Sequence, residues 1–138
     1  MIDHEQFRLA LIHLEKQLIN HLHLPDDQPP LIREAVAESV IHRFETCYDA
    51  LWKVLKRHLH EELGVPDVPN SPKPILRLAH KNALLPSPIE QWLRYADART
   101  ATSHDYSDTK AQHALTLTGP FLRDAIRLYQ TLSGQTWR

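Results

Sequence analysis

Eight residues, Arg99-Thr100-Ala101-Thr102-Ser103-His104-Asp105-Tyr106, gather a permanent cation, an imidazole, a carboxylate, a phenol and three hydroxyls. An imidazole gives and takes protons near neutral pH. A guanidinium offers a fixed fork of donors suited to carboxylate or phosphate oxygens. Arg99 and His104 are five apart, which on a continuous helix turns them about 140° from each other. They share a site if the helix breaks between them, or if a second copy of the chain completes it. The Thr-Ala-Thr-Ser filler favours a break, because β-branched residues and self-bonding hydroxyls prefer helix ends. The plainer alternative is a helix terminus, with Arg99 near the carbonyl end and His104 and Asp105 in a polar turn.

Apolar residues at helical spacing surround that stretch, and with three glycines there is little material for hairpins. The expected class is all-α, an up-and-down bundle of four to five helices. Residues 3–23 form the first, with Phe7, Leu11, Leu14, Leu18 and Leu22 on one face and an Asp3/Gln6 capping box. The second runs over residues 30–62. It begins at Pro30, tolerated in a first turn, and carries Ala37, Ile41, Phe44, Tyr48, Leu51, Trp52, Leu55 and Leu59. This longest pattern marks the central helix. Arg43, Glu45 and Lys56 on it are candidates to face a site, against a default of solvated surface.

A Pro-rich loop from Gly64 leads to a short helix over residues 72–84, and residues 88–99 form the next, capped by Ser87 with Glu90 three residues on. Trp92 and Tyr95 read as core aromatics. Ser107 or Asp108 caps a last helix that Gly119-Pro120 kinks without ending. The tail from Gly134 is expected to be loose.

The 138 residues predict a single domain over 1–138. Lys plus Arg number 16 against 17 for Asp plus Glu, which removes bulk basicity as an argument for nucleic-acid binding and leaves only local patches. No apolar run approaches membrane-spanning length and Asp3, His4 and Glu5 open the chain, so neither a span nor a secretory signal is expected. Cys47 stands alone, which excludes an internal disulfide and fits a reducing, cytoplasmic setting, most simply as a packed thiol. His21 and His23, two apart on a helix, make a poor metal pair; no metal cluster or cofactor motif is expected.

The order of features resembles a known family. Arg43-Phe-Glu-Thr-Cys-Tyr-Asp-Ala-Leu-Trp-Lys, then Pro74-Ile-Leu-Arg-Leu-Ala, Asn82-Ala-Leu-Leu, Trp92 and Arg99-x4-His104-x-Tyr106 are similar to the nucleotidyltransferase substrate-binding protein branch of the HEPN superfamily. The likeness implies a small helical bundle that forms a homodimer and is paired, as toxin with antitoxin, to a cognate minimal nucleotidyltransferase. It implies a metal-independent ribonuclease with Arg99 and His104 catalytic in a dimer cleft. It also implies that Tyr106 is the acceptor of adenylate from the partner enzyme. Ser103 or Asp105 would orient the imidazole. Thr100 stands where the family commonly has Asn or another strong polar group, and that departure supports the alternative of a non-catalytic nucleotide-binding subunit.

Overall fold

The computed structural model describes residues 2–104 and 108–137. Five α-helices account for most of them: α1 (Glu5–Leu22), α2 (Pro30–Arg57), α3 (Pro72–Lys81), α4 (Ile89–His104) and α5 (Asp108–Ser133). Among the described residues there is no strand, and no helix is long and apolar enough to cross a membrane. The expected all-helical bundle is the observed one.

α2 is the shared wall. α1 folds back along it, α5 packs on α1, α2 and α4, and α3 bridges α2 and α4. The apolar stripe read from the sequence is what α2 buries: Ile41, Phe44, Tyr48, Leu51 and Leu55, with Val40, Cys47 and Val54 beside them. Phe121 of α5 is the hub that fixes α4 against α2. Its ring meets Phe44 edge-on at 4.9 Å and Tyr95 at 5.2 Å. Trp92 then packs edge-on against Tyr95 at 5.4 Å, and both are fully buried, as expected. Edge-to-face pairs of this kind prefer one geometry, so they set the rotation of α4 as well as its position.

Helix boundaries depart from expectation where backbone groups found other partners. The Glu5 amide donates to Asp3 Oδ1 at 2.8 Å, but His4 holds the N-cap position. Ser87 is no cap: its hydroxyl is buried without a hydrogen-bond partner among the described residues, while the Gln91 amide donates to the Pro88 carbonyl. α3 ends at Lys81, with Ala83 at φ 58°, three residues earlier than expected.

The last turns of the expected second helix form a wider, π-type segment over His58–Glu62. The Leu63 amide reaches back to the His58 carbonyl at 3.1 Å, Leu59 stays buried, and Gly64 at φ 67° ends the run in a conformation open to glycine.

α5 continues through Pro120, whose ring follows two residues after Thr118, and the Thr118 hydroxyl bonds the Ala114 carbonyl at 2.8 Å. The tail is not loose. Trp137 packs edge-on against Tyr129 at 5.6 Å, its amide donates to Gln130 Oε1 at 2.9 Å, and its indole N–H reaches Glu15 at 3.4 Å. Burying an aromatic there offsets an ordering entropy that a wholly polar tail would leave unopposed.

Candidate functional site

Arg99 lies one turn beyond Tyr95 on α4, so the aromatic hub that fixes Tyr95 also delivers the guanidinium to α2. There it meets two carboxylates. Nε and Nη2 donate to Asp49 Oδ1 and Oδ2 at 3.3 and 3.1 Å, a side-on bidentate pair. Nη1 lies 3.4 Å from Glu45 Oε2. Glu45 and Asp49 are four apart on α2 and therefore share one helix face. Of the five N–H donors on Arg99, two serve Asp49 and one faces Glu45, which leaves two for a further acceptor. The Arg99 side chain is 25% exposed, and its hydrogen bonds to Asp49 hold its pKa above the ordinary arginine value, outweighing partial burial.

Glu45 also receives the Thr102 hydroxyl at 2.6 Å, so one carboxylate joins Arg99 and Thr102 across the two helices. Of the three candidates on α2, only Glu45 enters the cluster. Arg43 donates to the His13 carbonyl of α1 at 3.4 Å and Lys56 to Asn70 in the loop at 3.1 Å. Asp49 escaped the sequence reading. Its signal was present: two carboxylates four apart, each next to a core aromatic (Phe44, Tyr48), lie at the margin of an apolar stripe and require a cation.

The expected helix break between Arg99 and His104 does not occur, because α4 is continuous to His104. Its threonines are accommodated in the helix. The Thr100 hydroxyl bonds the Ala96 carbonyl at 3.1 Å, and that of Thr102 lies 3.2 Å from the Ala98 carbonyl as well as on Glu45. Back-bonding to the preceding turn satisfies these hydroxyls without leaving the helix. Arg99 and His104 thus belong to different sides of α4, about 140° apart. The side chains of Ser103, His104 and Asp108, and the whole of Asp105, Tyr106 and Ser107, lie outside the described residues. The expected cap of the last helix falls among them.

Beside Arg99 a groove of about 470 Å³ opens between α2, α4 and the start of α3, lined by Tyr48, Asp49, Trp52, Lys53, Lys73 and Arg99 among others. Lys73 is paired with Asp97 at 2.6 Å. Lys53 sits 5.8 Å from the Trp52 ring centroid and has no carboxylate partner among the described residues. Burial raises the Tyr48 phenol pKa above its ordinary value, with Asp49 adding to the effect, so the group is a neutral donor. Cys47, fully buried behind this face, is raised by burial alone and is a packed thiol as expected.

Comparison with known proteins agrees with the architecture. Haemophilus influenzae probable ribonuclease HepT is 29% identical over 109 residues, spanning 78% of this chain and 74% of the relative. A solved Haemophilus influenzae structure, described as revealing the fold of a substrate binding domain of a nucleotidyltransferase, superposes with a TM-score of 0.84 at 26% identity, over 95% of this chain and 99% of that one. A solved Thermus thermophilus protein superposes with a TM-score of 0.70 at 26% identity, over 96% and 99%. The family described as nucleotidyltransferase substrate binding protein like matches residues 2–134. With that match over nearly its whole length, the chain belongs to the nucleotidyltransferase substrate-binding protein family, within the HEPN superfamily.

Proposed function

We propose that the protein is a HEPN toxin of a type VII-like toxin–antitoxin pair. In this reading it is a metal-independent endoribonuclease acting through Arg99 and His104, and a cognate minimal nucleotidyltransferase silences it by adenylylating Tyr106. The observation that carries the reading is the anchored Arg99: a guanidinium gripped side-on by Asp49 and flanked by Glu45, yet with two donors left over. A pre-oriented fork stabilises charge building on a phosphate without reorganising at the moment of reaction. His104 takes the proton from a ribose 2′-OH or supplies one to the leaving oxygen.

Because α4 runs unbroken to His104, the two positions of one copy lie about 140° apart around its axis, and in this reading Arg99 and His104 come from two copies into one cleft of a homodimer. Adenylate on Tyr106 would add a negative phosphate and a base beside that cleft, competing with RNA in charge and space.

The test is cleavage of end-labelled tRNA and mRNA by the purified protein, with and without chelator, beside Arg99→Ala and His104→Ala. Chelator-resistant cleavage that falls at least about 100-fold in both folded variants is expected. Equal cleavage by wild type and variants would falsify the mechanism. Intact-mass measurement after incubation with the partner enzyme and ATP checks Tyr106: a gain on wild type that Tyr106→Phe lacks is expected.

A second reading, a non-catalytic nucleotide-binding subunit of the transferase, draws on the Thr100 hydroxyl, which is bonded back to Ala96 at 3.1 Å. Nucleotide binding without RNA cleavage by the folded wild type would favour it.

A further inference from the structure

The Arg99 cluster pairs one cation with two carboxylates, so on its own it carries a formal charge of about −1 and repels a polyanion. A protein that holds nucleic acid at this place needs positive charge and base contacts close by. The groove beside Arg99 has both.

We propose that this groove is a single-nucleotide subsite: a base stacks on Trp52, while its phosphate lies against Lys53. Four features meet there. The volume, about 470 Å³, falls within the range of small-ligand sites. Trp52 is only partly buried, and the ammonium that covers its ring belongs to exposed Lys53, a flexible group that leaves when a base arrives. Asp97 is paired with Lys73 and Arg99 is shared between Asp49 and Glu45, so exposed Lys53 is the groove cation that offsets the cluster's excess negative charge.

The fourth feature is Tyr48. It is 2% exposed and lines the groove, and its buried hydroxyl has no hydrogen-bond partner among the described residues. A buried donor left unmet is costly, and a ligand oxygen or ring nitrogen in the groove would satisfy it.

The subsite rests on the ribonuclease reading for its biological substrate but not for its test. The base and phosphate it holds come either from an RNA strand or from a free nucleotide. The probe is a fluorescein-labelled 2′-O-methyl oligoribonucleotide, which lacks the attacking hydroxyl and stays uncleaved, with binding followed by anisotropy on the full chain.

Trp52→Leu should weaken binding about tenfold or more, and Trp52→Phe should recover most of it. Lys53→Ala, on an exposed side chain that threatens no packing, should weaken binding several-fold and lower the salt slope by about one. Competition assigns the source. Displacement by ATP at similar concentration means a free-nucleotide site, and displacement by oligonucleotide alone means a strand site; both support the subsite. Wild-type affinity in both Trp52→Leu and Lys53→Ala, or no binding of either probe to folded wild type, overturns it. Loss of the ribonuclease reading would show separately, as wild type that binds the probe but never cuts RNA.

Discussion

Tyr95 and Tyr48 sit on opposite sides of the same aromatic cluster, and both rings face Phe121. Their hydroxyls are treated differently. That of Tyr95 donates to Asp124 Oδ2 at 2.6 Å and accepts from Gln91 Nε2 at 3.0 Å, closing the seam between α4 and α5. That of Tyr48 meets nothing among the described residues. In both, burial raises the phenol pKa well above the ordinary value, so both are neutral donors. The difference separates a finished structural contact from an open one. Trp92 Nε1 and Ser87 Oγ are also buried without a partner among the described residues; Tyr48 differs from them in lining the groove beside Arg99.

Removing the acceptor on the closed side should cost most. Asp124→Ala leaves the Tyr95 hydroxyl short of its strongest partner and should cost about 2 kcal/mol by denaturant melts, with activity per folded molecule unchanged. Loss of cleavage without loss of stability would show that the seam serves the site directly.

Asp49→Asn keeps the shape of the Arg99 grip and removes its charge. Cleavage should fall about tenfold in kcat, roughly 1.4 kcal/mol, with KM little changed. A selective rise in KM would instead make Asp49 part of substrate binding.

Tyr48→Phe sharpens the contrast. With no hydrogen bond to lose among the described residues, stability should stay within about 0.5 kcal/mol, while oligonucleotide affinity drops several-fold. Equal affinity would mean the hydroxyl is idle.

The smallest effect concerns pH, away from both tyrosines. Burial lowers the His58 pKa, outweighing nearby Glu62, with His4 acting in the same direction as burial. The native state then binds fewer protons than the unfolded chain, so stability falls as pH drops through about 6.5 toward the lower native value. His58→Gln should flatten that part of the Tm-against-pH curve and leave it unchanged above about pH 7.5.

Much of this architecture is legible from spacing alone. The stripe from Ile41 to Leu55 marks α2 as the shared wall, and Trp92 with Tyr95 marks the inner face of α4, because burial follows helical period. Local polar chemistry is less legible. Thr100 and Thr102 carry low helix propensity, yet α4 runs past Arg99 with both hydroxyls bonded back to the preceding turn. Asp49 reads as solvated until a residue fifty positions away supplies its partner. Trp137 looks like part of a frayed end until Tyr129 and Glu15 come beneath it. Most of these depend on a neighbour distant in the chain, which period and propensity do not encode.

The wide turn over His58–Glu62 has a bearing on how this chain is compared with its relatives. A π segment holds one more residue than an α turn, and it lies after Glu45, Asp49 and Trp52 but before Lys73. Gains and losses of a residue are best absorbed there, since the groove-lining part of α2 keeps its phase. The same change between Glu45 and Asp49 would swing one carboxylate about 100° around the helix, out of reach of Arg99, and between Asp49 and Trp52 it would turn the Trp52 ring away from the groove. An alignment gap belongs in the turn, and a gap within the Glu45–Trp52 span marks a relative with a different site.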